Sequence, residues 1–269
     1  MQLLTPMNGI NALPQRRAAG LGRGGFTLIE LIIVLLLLGI IGVMGGEMIV
    51  TAFKGFSDTD ARMELFEEGE LALMRMEREI HHMIPNAIDN PDSSTISFGL
   101  IDVQALRGVF GEYERVDDNT IHDIGAAVLA TGSLISIYNT GWAEFSSTNA
   151  GIRKIYGITA AGGNMNLHKA IIDGESAISR YYPVAKAVRY RLNGSVLFRS
   201  ETAVTTASDF AAALTTAPAY PLLSNITGLS FSYSPATLTR NALVRINFTL
   251  ENKGNSLDFH KEVQVRNVP

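Results

Sequence analysis

Residues 23–44 read RGGFTLIELIIVLLLLGIIGVM. Between Phe26 and Met44 only Thr27 and Glu30 are polar. These 19 residues make about 28 Å of helix at 1.5 Å per residue, close to the hydrocarbon thickness of a bilayer. The run is too long and too apolar for a helix inside an ordinary domain, so it predicts a membrane span. Residues 1–25 are rich in Gly, Pro, Arg and Asn, show no periodicity and read as disordered. They hold Arg16, Arg17 and Arg23 and no acid, so removing those three charges from the net −4 leaves −7 on the rest of the chain. A basic, acid-free segment ahead of an apolar run is a targeting signal. The positive-inside rule puts it in the cytoplasm and everything after Met44 across the membrane.

Glu30 is the anomaly in this run. A lone carboxylate near hydrocarbon is costly, and such residues are rare and usually functional, with a partner. At the membrane interface of a free chain it can simply be solvated. Inside a packed assembly of such helices it needs a cation. The glycines at 39, 42, 45, 46 and 55 are a second anomaly, since each weakens a helix by about 1 kcal/mol relative to alanine. They suit either close packing against other helices or local unwinding.

Working outward, a polar helical pattern continues to about Ile84. Leu65, Ala72, Met76 and Met83 fall within about 40° of one another at 100° per residue, flanked by Leu73 and Ile80. That stripe predicts a core-facing side. Met63, Leu71 and Met74 lie opposite, among Glu67 and Glu70, either as a second contact face or as scattered surface apolar residues. Pro85 is expected to end the helix, because proline disfavours helical geometry in the residue before it. Beyond Asn86 come short runs of β-formers: 95–98, 134–138, 187–192, 196–199, 228–233, 244–250 and 257–265. Asn193-Gly194 between two of them is a hairpin signal, and Lys253-Gly254-Asn255 is expected to turn the last pair. Residues 100–185 read as a loop-rich insertion with a few short elements. The expected fold class is α+β. A spine helix from about Thr27 to Ile84, near 87 Å long, packs its second half on an antiparallel sheet drawn mainly from residues after 186.

The segment Arg23-Gly24-Gly25-Phe26-Thr27-Leu28-Ile29-Glu30-Leu31 resembles the type III signal sequence of type IV prepilins and type II secretion pseudopilins. The match covers residues 23–42: basic residues before the junction, Gly25 at it, Phe26 after it, Glu30 at the fifth position beyond. The resemblance implies that a prepilin peptidase cuts between Gly25 and Phe26 on the cytoplasmic side and that the new Phe26 amine is N-methylated. It implies partners: that peptidase, other major and minor pilins in a filament, and an inner-membrane assembly platform. It implies a bacterial inner-membrane location, single-pass, with the C-terminal domain in the periplasm and later in a pilus or pseudopilus. On this reading 1–25 is a cleaved leader, 26–50 the transmembrane half of the spine helix, 51–86 its amphipathic half and 87–269 an exported β-rich domain. Glu30 would then serve subunit assembly, by pairing with the Phe26 amine of a neighbour and setting axial register. Many major pilins carry proline where this chain has Glu47. Cleavage at Gly25 leaves 244 of the 269 residues, long for a major pilin. Residues 61–63, 75–80 and 84–88, the hairpin 188–199 and the tail Val263-Gln264-Val265-Arg266-Asn267-Val268-Pro269 are similar to minor pilins of the mannose-sensitive haemagglutinin (MSHA) pilus, O type. The J-type minor pseudopilin of type II secretion is the alternative.

Other classes are weaker on this sequence. There is no cysteine, which excludes thiol catalysis, cysteine-ligated metal and disulfides. The glycines at 20, 22 and 25 fit G-x-G-x-x-G, but no strand precedes them. His81 and His82 are adjacent and would point about 100° apart on a helix, so they do not chelate one ion. His122-Asp123 with Asp117-Asp118 reads as a solvated acidic turn rather than a metal loop. No nucleophile elbow or P-loop is present, so no enzyme, cofactor or metal site is expected. A plain membrane-anchored signalling or adhesion protein would keep residues 1–25 and have no use for Glu30. The acidic net charge argues against a general nucleic-acid binder. DNA uptake would need an exposed basic patch. Arg180, Lys186, Arg189, Arg191 and Arg199 cluster in sequence, with Arg189 and Arg191 on one strand face, but a solvated sheet face accounts for them better.

Overall fold

A computed structural model describes residues 25–105, 111–124, 129–172, 174, 176, 178–206, 209–235 and 241–265. Residues 1–24, with Arg16, Arg17 and Arg23, which the sequence reading assigns to a 1–25 leader, lie outside the described residues, as do residues 266–269. The chain divides into two compact units, one ending at Lys54 and the other beginning at Gly55.

Helix α1 (Leu28–His81) is 54 residues long. Among the described residues it is the helix long and apolar enough to cross a membrane, by length and composition. Its residues 28–54 bury nothing within the protein, and apolar side chains lie open all round. Its remainder behaves as an amphipathic helix should. Leu65, Ala72, Leu73, Met76 and Ile80 are buried on one side, as the stripe predicts, joined by Ala61 and Gly69. Burying each large one stabilises the fold by about 1.5–3 kcal/mol. On the other side Met63, Leu71 and Met74 are exposed.

The helix stops three residues earlier than Pro85 predicts. His82 makes the turn: its N–H reaches the Arg78 and Glu79 carbonyls, and its Nδ1–H donates to the Arg78 carbonyl at 2.7 Å, satisfying an otherwise open helix end. Met83, expected on the helix stripe, instead begins strand β1 (Met83–Asp92), where it is still buried. Pro85 therefore lies inside a strand. Its missing N–H is tolerated because β1 pairs only with β2 (Thr95–Ile101) and is irregular between Met83 and Ile88. Asn139 holds the irregular stretch, donating from Nδ2 to the Pro85 carbonyl at 3.2 Å.

The remaining elements, in order, are β3 (Gly111–Arg115), β4 (Thr120–Asp123), β5 (Leu134–Ile137), α2 (Trp142–Ser146), β6 (Ile155–Ala160), β7 (Asn164–Leu167), β8 (Arg180–Asn193), β9 (Val196–Ala203), α3 (Phe210–Thr216), β10 (Ala219–Leu223), β11 (Ile226–Ser234), β12 (Ala242–Asn252) and β13 (Asn255–Val265). All pairings are antiparallel. Every expected strand is present and most run longer. The Asn193-Gly194 signal makes the β8–β9 hairpin, with Asn193 opposite Val196 and Gly194 at φ +61°. Lys253 and Gly254, at φ +50° and +80°, turn β12 into β13.

The sheet does not come mainly from residues after 186. Strands β1 to β7 precede that point and join β8, β9 and β10 in one ten-stranded sheet, while β11-β12-β13 form a second. Nor is 100–185 a loose insertion. Pairings run β8–β3–β4–β7–β6–β5 and back to β8, a closed circuit of six strands. Inside it Tyr113, Ile121, Ile135, Ile137, Tyr156, Ile158, Met165, Leu167 and Tyr181 form their own core. Closure gives every one of these short strands two neighbours, so four-residue strands can persist without exposed edges. The main core lies elsewhere: the buried stripe of α1 meets Ile96, Phe98, Val188, Tyr190 and Leu197 of one sheet and Phe231, Val244, Ile246, Phe248 and Phe259 of the other.

Candidate functional site

Gly25, Phe26 and Thr27 lead into α1 as exposed residues outside the helix, with Phe26 81% exposed. A Cβ placed on Gly25 would meet nothing within 4 Å, so no contact of the chain's own requires glycine there. The Gly25-Phe26 peptide bond is open to an outside reagent.

Thr27 and Glu30 cap the helix reciprocally. The Glu30 N–H donates to Thr27 Oγ1 at 3.3 Å, and the Thr27 N–H donates to Glu30 Oε2 at 3.5 Å. The Thr27 carbonyl accepts from the N–H groups of Glu30 and Leu31 at 3.1 and 3.2 Å. This is a capping box, and it places a carboxylate in the first turn, where the helix dipole favours negative charge. The Thr-x-x-Glu spacing ahead of an apolar run makes this box legible in the sequence. Glu30 thus has a local partner one residue from Phe26, in addition to any it takes from another molecule.

Along residues 39–55 the five glycines also stand in open space: at Gly39, Gly42, Gly45, Gly46 and Gly55 an added Cβ meets nothing within 4 Å. The helix is continuous here. Thr51 Oγ1 donates back to the Glu47 carbonyl and Thr59 Oγ1 to the Gly55 carbonyl, each at 2.8 Å, a bonding pattern that tends to bend helices. Gly69 contrasts with them, since a Cβ there would come within 2.2 Å of the Phe259 ring.

The basic cluster of β8 and β9 is largely neutralised. Arg199 points to the helix side, is 7% exposed, and bonds Glu79 at 3.0 Å and Glu201 at 2.7 Å. Burial alone would lower the Arg199 pKa, but the bonds to Glu79 and Glu201 outweigh it and raise it. Tyr190 donates its hydroxyl to the same Glu79 at 2.6 Å, and burial together with that carboxylate raises the tyrosine's pKa. Lys186 pairs with Glu201 at 2.8 Å. Arg180 lies opposite Glu112 in the β3–β8 register. Arg189 and Arg191 stay on the opposite face of the sheet from Arg199, as strand alternation predicts.

The histidine–aspartate loop is taken up by local bonds. His122 Nδ1 bonds the Asn164 side chain at 2.8 Å, Asp123 accepts from the Tyr181 hydroxyl at 2.8 Å, and Asp118 pairs with Arg115 at 2.9 Å. Among the described residues no group of three or more His, Asp or Glu is placed to hold a metal ion. No family model, no curated protein and no solved structure matches this chain.

Proposed function

We propose that the chain is a type IV prepilin-like minor pilin, cut between Gly25 and Phe26 by a prepilin peptidase, N-methylated at Phe26 and assembled into an MSHA-like pilus. The observation that carries the proposal is the join of two features. An open Gly25-Phe26 bond stands directly before Thr27-Leu28-Ile29-Glu30, and the helix that follows buries none of residues 28–54 in its own protein. Such a surface needs lipid before assembly and other helices after it. The pilin-like fold, a spine helix roofed by antiparallel sheet, is the corresponding reading of the architecture. Waiting in the inner membrane with the leader in the cytoplasm follows from the arginines of residues 1–25.

The capping box refines the part played by Glu30. In the lone subunit its carboxylate closes its own helix. In the filament it exchanges that contact for the cationic Phe26 amine of a neighbour, which cleavage creates. Glu30→Gln separates the two roles, because glutamine serves a capping box as well as glutamate but carries no charge. Mass spectrometry of the mature protein is expected to find N-methyl-Phe26 as first residue, and recovery of intact residues 1–25 from filaments overturns the assignment. Glu30→Gln is expected to insert and be cut normally and to be lost from sheared filaments. Wild-type incorporation would end the charge-pair mechanism.

A further inference from the structure

Strand register lays two rows across the sheet on the face turned away from α1. One runs Asp89, Ser97, Arg189, Ser200, Ala219 through β1, β2, β8, β9 and β10. The next runs Thr95, Arg191, Phe198, Pro221. Arg189 and Arg191 are therefore side by side on one strand, about 7 Å apart along it. Helix α3 partly covers this face. Arg189 fastens it, donating from Nε to Ser97 Oγ at 3.0 Å, from one terminal nitrogen to Thr215 Oγ1 at 2.9 Å and from the other to the Ala211 carbonyl at 3.3 Å. Between α3 and the strands a hollow of about 140 Å³ remains, floored by Phe198 and Leu214 and rimmed by Arg189, Arg191, Asn193 and Thr215.

Among the described residues no acidic side chain lines the hollow. Burial above all, and Arg191 less, lower the Arg189 pKa, against the attraction of Asp89 from the far side of Ser97, two strands away. Among the described residues the Arg191 side chain has no hydrogen-bond or ion-pair partner. Two guanidinium groups therefore stand on one strand face at the rim of a partly apolar hollow, Arg189 fixed by its bonds and Arg191 exposed, so an anion entering there meets two cations.

We propose that this hollow binds a carboxylate borne on a small apolar body. Arg191 and the two N–H groups that Arg189 has to spare fork the carboxylate, while Phe198 and Leu214 take the hydrocarbon. The volume suits one ring or a short aliphatic stem, being close to the cavity of about 150 Å³ known to admit benzene. Phosphate would satisfy the cations but leave charged oxygens against the apolar floor. The carboxylate can come from a free organic acid or from an acidic side chain of another protein. This inference is independent of the reading of the N-terminal segment.

The test uses the full chain in neutral detergent micelles, with benzoate followed by saturation-transfer NMR. Saturable transfer to the benzoate ring is expected, at least about tenfold weaker in Arg191→Gln and unchanged in Lys253→Gln, a distant control. Arg191 carries no side-chain bond among the described residues, so its loss leaves the fold intact. Equal binding by wild type and Arg191→Gln overturns the proposal, and so does displacement of benzoate by inorganic phosphate at the same concentration as by cyclohexanecarboxylate, a carboxylate on an apolar ring. A blocked tripeptide, acetyl-Leu-Glu-Leu-amide, whose only carboxylate is a side chain, separates the sources. Tighter binding of the peptide than of benzoate supports a protein partner, tighter binding of benzoate supports a free acid, and binding of neither overturns the site.

Discussion

The two stretches of helix α1 obey the same backbone rules under opposite burial. Residues 28–54 carry Leu, Ile and Val on every side and bury none of them, whereas 55–81 bury Ala61, Leu65, Gly69, Ala72, Leu73, Met76 and Ile80 along one side only. Glycine shows the difference most sharply. In the first stretch Gly39, Gly42, Gly45 and Gly46 touch nothing, and in the second Gly69 is pressed against Phe259. The later stretch is shaped by partners inside the molecule. The earlier one takes no partner from inside it.

The largest effect expected from breaking the second stretch is at Glu79. Its carboxylate is 13% exposed and serves both Arg199 and the Tyr190 hydroxyl. Removing Glu79 strips the Tyr190 hydroxyl of its acceptor and leaves buried Arg199 with Glu201 alone, so Glu79→Ala should cost about 3 kcal/mol in chemical denaturation, the low end for breaking a buried pair. Glu79→Ala combined with Arg199→Met should cost less than the two singly, because the stranded charge is gone. An additive double variant would mean that the pair is not a unit. The next effect is a matched comparison of glycines. Gly69→Ala must displace the Phe259 ring and should cost about 1–3 kcal/mol, as overpacking does. Gly42→Ala meets open space and should gain up to about 1 kcal/mol of helix stability, read by circular dichroism in micelles. If both substitutions behave alike, the contrast between the stretches fails.

The smallest effect is a pH dependence. The bond from Lys186, helped by Arg199 and opposed by partial burial, lowers the Glu201 pKa below its ordinary value of 4.5. A carboxyl with a depressed folded-state pKa contributes stability that is fully present above 4.5 and is lost as pH falls through the folded value. Lys186→Met should flatten that acid limb of the stability curve while leaving neutral-pH stability little changed, since both side chains are about two-fifths exposed. An unchanged acid limb would show that Arg199 alone holds the carboxylate.

Much of this architecture is legible in the residues because its periods are long enough to see. A 19-residue run with only two polar positions, a helical stripe over 65–83 and hairpins marked by Asn193-Gly194 and Lys253-Gly254 each leave a signal that local physics nearly dictates. The six-strand circuit does not, because strands such as 120–123 and 164–167 are too short to display alternation and draw their stability from closure. Pro85 misled for a definite reason: it forbids helix just before itself but does not forbid an edge strand, and His82 had already ended the helix. Gly25, Phe26 and Glu30 were readable as a motif. The capping contact with Thr27 was readable as spacing. The hollow beside Arg191 was only half readable: alternation puts the two arginines on one face, but its other wall is α3, a helix that a lone Asp209 N-cap and seven residues announce too faintly.

The passage from α1 to β1 has a mechanical meaning. Only His82 separates the last helical residue from the first strand residue, and its carbonyl is itself bonded to the Ile101 N–H at 2.9 Å. There is no slack to draw out. A pull exerted on the end of α1 within this unit is therefore passed at once to β1 and to its ladder with β2, without first paying out chain.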